Sequence, residues 1–153
     1  MHDAPHEKHP VGRILIVDDD PVFTAMAAAC LSGAKFAPTI ANDGVTALEL
    51  LEAGTYHAAL IDLAMPRVDG FRLIGFIRSM ARHARMAIVV ISSRTDVHAF
   101  EESYALGANG FQTKPVNWAL LPTQLRYILR ETGSLVLPAD IPAPPVDKRD
   151  RRD

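Results

Sequence analysis

Ala59-Leu60-Ile61-Asp62-Leu63-Ala64-Met65-Pro66 is the stretch on which the reading of this chain turns. An apolar run ends in a single carboxylate, and a loop closed by Asp69-Gly70 follows at once. A short apolar run bounded by turn residues reads as a strand buried on both faces, as in a parallel sheet. The strand is expected over His57 to Asp62. The charge of Asp62 then falls at the carboxyl end of its strand, where open α/β sheets place their ligands.

Bulk properties narrow the class. A chain of 153 residues, 48% of them hydrophobic, is long enough for one domain with a substantial core. Its 22% charged residues and net charge of −2 argue against a general nucleic-acid or membrane binder. The longest purely apolar stretch, Ala25 to Leu31, is far too short to span a bilayer, and the start of the chain lacks the apolar segment of a signal peptide. The one cysteine, Cys30, excludes an internal disulfide and fits a reducing cytoplasm; its alanine-rich surroundings give it a packing role.

Outward from Asp62, strands and helices alternate. Residues 1–12 read as a flexible arm, in which His2, His6 and His9 offer no fixed metal geometry. Ile14 to Val17 is a central strand running into Asp18-Asp19-Asp20-Pro21, where Asp20 caps a helix and Pro21 opens it. That helix ends at Gly33. Pro38 to Ala41 is a weak strand suited to an edge. A second helix follows Asn42-Asp43, with Val45, Leu48 and Leu51 at helical spacing, and stops at Gly54. A third starts at Gly70, with Phe71, Ile74, Ile77 and Met80 inward and Arg72, Arg78, Arg82 and Arg85 on a solvated basic face. Ala87 to Ile91 is the clearest buried strand and ends in Ser92-Ser93. A helix over Asp96 to Leu106, a short strand over Gly110 to Thr113 ending in Lys114-Pro115, and a helix from about Asn117 to Glu131 complete the pattern. Trp118, Leu121, Leu125 and Ile128 face inward there, and Pro122 falls in the first turns. Residues 134–153, with Pro138, Pro142, Pro144 and Pro145 and a mixed-charge end, read as a disordered tail after a domain spanning 13–133.

Five strands alternating with five helices imply an α/β fold, a parallel sheet covered on both faces. The apolar strands one, three and four belong at its centre. The expected architecture is a (βα)5 flavodoxin-like three-layer sandwich with strand order 2-1-3-4-5.

In such a sheet the polar residues at the strand ends meet on one rim: Asp18 and Asp19, Asp62, Ser92 and Lys114. Two carboxylates about 4 Å apart repel by roughly 4 kcal/mol at an effective dielectric of 20, so three need a cation or a proton. Hard carboxylate oxygens with open water positions suit Mg²⁺, and there is no Cys/His set for zinc. The lysine can pair with Asp62 at rest and with a phosphoryl oxygen later. A carboxylate nucleophile, a divalent metal and a lysine are the parts of phosphoryl transfer to aspartate, with Asp62 the acceptor and the Ser92 hydroxyl a donor to the new phosphate.

With these residues in place the sequence resembles the receiver domain of bacterial two-component response regulators, of the chemotaxis type. The matching segments are Ile14–Asp19, Leu60–Gly70, Ile88–Ser93 and Gly107–Pro115, with 30 residues from Asp62 to Ser92 and 22 from Ser92 to Lys114. The resemblance implies that Asp62 takes phosphate from a phosphohistidine of a sensor histidine kinase or histidine phosphotransferase. It implies that Asp18, Asp19, Asp62 and the backbone carbonyl of Ala64 hold Mg²⁺, directly or through water, and that Ser92 and Lys114 contact the phosphoryl group. Phe111 takes the place of the aromatic switch residue, and Lys114-Pro115 that of a cis peptide. The face of helix four, strand five and helix five is the implied output surface. Some positions depart from the commonest pattern. Ser92 replaces a threonine, Ser93 stands where alanine is frequent, Ala64 offers no side chain to the site, and Arg94 can cover the phosphate. Ala64 and Arg94 are expected to tune phosphoryl lifetime.

Twenty residues beyond the last helix cannot form a helix-turn-helix or a cyclase, so the expectation is a stand-alone, non-enzymatic switch. It is expected to act in the cytoplasm as a monomer or weak dimer on an unknown downstream protein, without direct DNA or membrane binding. Asn117 to Tyr127 also resembles helix five of receivers attached to larger regulators, and the arginine-rich end could take an anionic ligand. Two other readings exist. Asp18-Asp19-Asp20-Pro21-Val22 fits the motif of haloacid-dehalogenase-type phosphatases, with Asp18 as nucleophile and Asp20 as general acid. That reading leaves Asp62 idle and lacks a late acidic pair. The other is a receiver-like scaffold that never takes phosphate.

Overall fold

The apolar runs and their Asp-capped successors fold as a repeated βα unit in the computed structural model, which describes residues 11–134. The strands are β1 (Arg13–Val17), β2 (Ala37–Ala41), β3 (Ala58–Ile61), β4 (Ala87–Ser92) and β5 (Gly110–Thr113). The helices are α1 (Pro21–Gly33), α2 (Gly44–Ala53), α3 (Gly70–Ser79), α4 (Val97–Leu106) and α5 (Leu121–Thr132). All strand pairs are parallel, in the order β2-β1-β3-β4-β5. The expected α/β fold and strand order are those observed. His2, His6, His9 and all of the expected tail but Ser134 lie outside the described residues. Val11 donates its N–H to the Lys35 carbonyl at 2.7 Å, and the Gly12 carbonyl accepts from Ala37.

Alternation along β1 splits the core into two layers. Leu15 and Val17 join Ala59, Ile61, Ile88 and Val90 under α2, α3 and α4. Ile14 and Ile16 join Leu60, Val89 and Ile91 under α1 and α5. Strands covered on both sides need no polar face, which is why β3 and β4 carry such continuous apolar runs.

Aspartates start four of the five helices. Asp20, Asp43, Asp69 and Asp96 accept from the backbone N–H groups of Val22, Thr46, Arg72 and Ala99. Each cap satisfies one orphan donor of a first turn and fixes where the chain leaves the site rim.

The structure corrects several side-chain expectations. In α2 the buried face is Gly44, Ala47 and Leu51, whereas Val45 is exposed. Alanine buries little area, so it carries a weak signal in an apolar pattern. In α3 Leu73 joins Ile74 and Ile77 in the core, Phe71 is half-buried, and Met80 lies past the helix end. A short 3-10 turn, Ala81–His83, then leads to β4. Helix α5 begins at Leu121, later than expected, because Pro122 has no N–H and suits only a first turn. Its buried stripe is Leu121, Leu125 and Leu129; Ile128 is partly buried, and Trp118 precedes the helix. Arg78 is no solvated charge. Its guanidinium donates to the carbonyls of Gly107 and Met86 and to Asn109 Oδ1. Arg82 likewise donates to the carbonyls of Leu51 and Glu52.

Candidate functional site

The parallel ladders continue one residue past the strand ends and fix the rim. Asp62 donates its N–H to Val17 at 2.9 Å, Asp18 to Ala41 at 3.2 Å, and Lys114 to Ser92 at 2.9 Å. Three loops are thereby held at one edge of the sheet.

Carboxylate oxygens of Asp18, Asp19 and Asp62 all lie within 4.8 Å of one another. Asp18 and Asp62 are buried and Asp19 is exposed. Lys114 Nζ sits 2.7 Å from Asp18 Oδ2. The expected resting partner, Asp62, is therefore not its hydrogen-bonded one. The other Asp18 oxygen accepts the Asp20 N–H at 3.0 Å. Asp62 is left with the charge problem: burial first, then the Asp18 and Asp19 carboxylates, push its pKa up to about 6, against the opposing pull of Lys114 and the Ala64 N–H. Three carboxylates and one ammonium leave room for a divalent cation. Hard oxygens at this spacing, with Asp19 open to water, fit Mg²⁺.

Ser92 is fully buried, and its Oγ accepts the Arg94 N–H at 3.1 Å. The Arg94 guanidinium turns to Asp96, at 3.0 and 2.8 Å, and lies 5.8 Å from the centre of the Phe71 ring. An open cleft of about 430 Å³, lined by Leu63, Ala64, Met65, Pro66, Asp69, Phe71 and Arg94, runs along the loop that follows Asp62. Ala64 is exposed on it. Phe111 is half-buried, its ring 5.5 Å from that of Phe100 on α4. The Lys114–Pro115 peptide is cis.

Asp20 is not part of the cluster. It is exposed, and its carboxylate caps α1 through the Val22 N–H at 3.0 Å. An enzyme using Asp18 and Asp20 finds no support in this placement. Sequence reading missed two contributors. Asn42 donates from Nδ2 to the Asp18 carbonyl at 3.0 Å and to Thr24 Oγ1 at 3.1 Å, bracing the acidic loop from the end of β2. Phe23 lies under Lys114, its ring centre 4.4 Å from Nζ. Neither has a local pattern beyond an Asn before a helix cap and an apolar residue in a first turn.

The carboxyl rim of this doubly wound parallel sheet thus gathers an acidic trio, a lysine and a buried serine hydroxyl, the place where open α/β sheets hold ligands. The family model for the response regulator receiver domain matches residues 14–126, and the chain belongs to that family, the receiver domains of bacterial two-component systems. The transcriptional regulatory protein CseB of Streptomyces avermitilis is 31% identical over 130 residues, covering 85% of this chain and 54% of that protein. The response regulator MprA of Mycobacterium ulcerans is 32% identical over 120 residues, covering 78% and 51%. The structure of the chemotaxis protein CheY4 of Vibrio cholerae superposes with a TM-score of 0.73 at 25% identity, over 77% of this chain and 98% of that one. The chain thus spans about half the length of these curated relatives. Receiver domains are signalling domains rather than enzymes with a separate substrate. Among the described residues no helix is long and apolar enough to cross a membrane.

Proposed function

We propose that this chain is a phosphorelay switch that accepts a phosphoryl group on Asp62. The donor is a phosphohistidine, on a sensor histidine kinase or a histidine phosphotransfer protein in the cytoplasm. The single observation that carries this reading is the grouping of Asp18, Asp19 and Asp62 within 4.8 Å, with Lys114 on Asp18.

Asp18, Asp19, Asp62 and the Ala64 carbonyl are the groups to hold Mg²⁺. When bound it neutralises carboxylate charge and polarises the oxygens of the transferring group. The chain's own groups do the rest. Burial and the Asp18 and Asp19 carboxylates raise the proton affinity of Asp62, so countercharge held by the acidic trio would favour its ionised, nucleophilic form at neutral pH. Asp62 attacks phosphorus, the bond from phosphorus to the donor imidazole nitrogen breaks, and the imidazole departs with the electron pair. Lys114 exchanges Asp18 for a phosphoryl oxygen, and the Ser92 hydroxyl turns from the Arg94 N–H to another. Movement of Ser92 opens space that Phe111 fills as it leaves Phe100. That shift alters the surface of α4, β5 and α5, where Val97, Phe100, Tyr104 and Tyr127 are exposed, and a partner protein reads it.

Incubation of wild type and Asp62→Asn with a small-molecule phosphodonor and Mg²⁺, followed by intact mass, tests the reading. One added phosphate on wild type and none on the variant is the expected result. Equal phosphate on both overturns Asp62 as acceptor, and none on either favours a scaffold that never takes phosphate.

A further inference from the structure

Lys114 has two partners, and only one is acidic. Its ammonium lies 2.7 Å from Asp18 Oδ2 and 4.4 Å from the centre of the Phe23 ring. Phe23 stands in the first turn of α1, beside the Asp18 loop. Its ring also packs on Trp118, with centres 5.4 Å apart. The Trp118 carbonyl is tied back to α1, where it accepts from Cys30 Sγ at 3.3 Å. The stack Lys114, Phe23, Trp118 therefore joins the site rim to the segment that enters α5.

We propose that Phe23 is a positioning residue: its ring holds the Lys114 ammonium on Asp18 in the metal-free site, and Trp118, packed on the same ring, reports the lysine's release. The role of the released lysine rests on the phosphoryl-acceptor reading above; the resting geometry does not.

A lysine carries its charge on a flexible four-carbon stem, so a single ion pair leaves it several positions. An aromatic face offers a cation a second attraction from the other side and favours one of them. In that position Lys114 occupies Oδ2 of Asp18, whose other oxygen already accepts the Asp20 N–H, so a metal ion taking up Asp18 would compete with the lysine. The ring lies against the Lys114 ammonium while that ammonium holds Asp18, so the contact stabilises this resting place. Phe23 thereby opposes metal loading through Lys114. Its removal makes loading easier, the reverse of what a residue needed only for packing would do.

Nuclear magnetic resonance of the wild-type chain without metal tests the geometry with no variant at all. The Lys114 ε-methylene protons are expected upfield of those of exposed lysines and move toward them when Mg²⁺ is added, while Trp118 fluorescence changes over the same range. Phe23→Met, which keeps most of the volume, is expected to abolish the upfield shift. It should also lower the Mg²⁺ midpoint in calorimetry by about two- to fivefold, the range set by an exposed cation–π contact. Phe23→Tyr, which keeps the ring, restores both. Ordinary Lys114 shifts in wild type, or an unchanged Mg²⁺ midpoint in folded Phe23→Met, overturns the proposal. If Asp62 takes no phosphate and these shifts and midpoints still respond as stated, the proposed function fails and the positioning role stands.

Discussion

Arg78, in the last turn of α3, donates two hydrogen bonds to the Gly107 carbonyl just past the end of α4, at 3.0 and 2.8 Å. It reaches the Met86 carbonyl and Asn109 Oδ1 as well, both at 2.8 Å, and Asn109 Oδ1 also accepts the Ile88 N–H. One guanidinium thus ties α3, the start of β4 and the turn into β5 together, at the rim opposite the acids. Arg78→Met is expected to cost about 2–4 kcal/mol in urea unfolding, since it orphans partly buried acceptors. Phosphate uptake on Asp62 should survive. Arg78→Lys does not rescue, because an ammonium cannot span the fork. A loss below about 0.5 kcal/mol, the level of an ordinary surface change, would refute the clamp.

Asp62 makes stability depend on pH in a stated direction. Its folded pKa of about 6 lies above that of an ordinary unfolded aspartate, so the folded state holds this proton more tightly. The resulting stabilisation is complete below about pH 4, the unfolded value, and is lost as pH rises through about 6. Between pH 4.5 and 7.5, wild type should lose on the order of 1–2 kcal/mol relative to Asp62→Asn, after discounting for water at the site. Mg²⁺ should return that loss by supplying countercharge. Urea melts at both pH values, with Mg²⁺ and with chelator, measure it; parallel curves for the two proteins would contradict the charge argument.

Gly70 is needed for close approach. A Cβ there would stand 2.7 Å from Leu63 Cα and collide with the Asp62 carbonyl oxygen. Both are backbone of the site loop and cannot swing aside. Gly70→Ala should destabilise by about 1–3 kcal/mol, the usual cost of overpacking, and slow phosphate uptake because the strain falls on Asp62's own peptide. Gly75→Ala, with nothing near its added Cβ, is the matched control. Equal melts for the two variants would remove the claim.

The sheet and most of the rim were legible because their signals are local. Ile14 to Val17 and Ala87 to Ile91 are apolar over a strand's length, and a parallel sheet sends every strand's carboxyl end to one edge. Asp18, Asp62, Ser92 and Lys114 follow from that rule alone. The buried face of α2 was not legible, since Ala47 and Gly44 pack closely while contributing little hydrophobic signal. Arg78 was not legible either: on a helical wheel it is one of several arginines, and its partners lie outside its own helix, 5 to 31 residues away in sequence.

The sequence by itself determined the strands, the capped helix starts and the four loops that bring acid, hydroxyl and lysine to one rim, because period, apolar run length and capping act within a few residues. The tertiary structure alone decided whom each charge meets. Lys114 and Asp18 are 96 residues apart, and their 2.7 Å contact, the Phe23 ring beneath it and the proton affinity of Asp62 depend on distances that exist only after β1, β3 and β5 share a sheet. Electrostatic energy depends on separation and burial, and neither is a property of residue order.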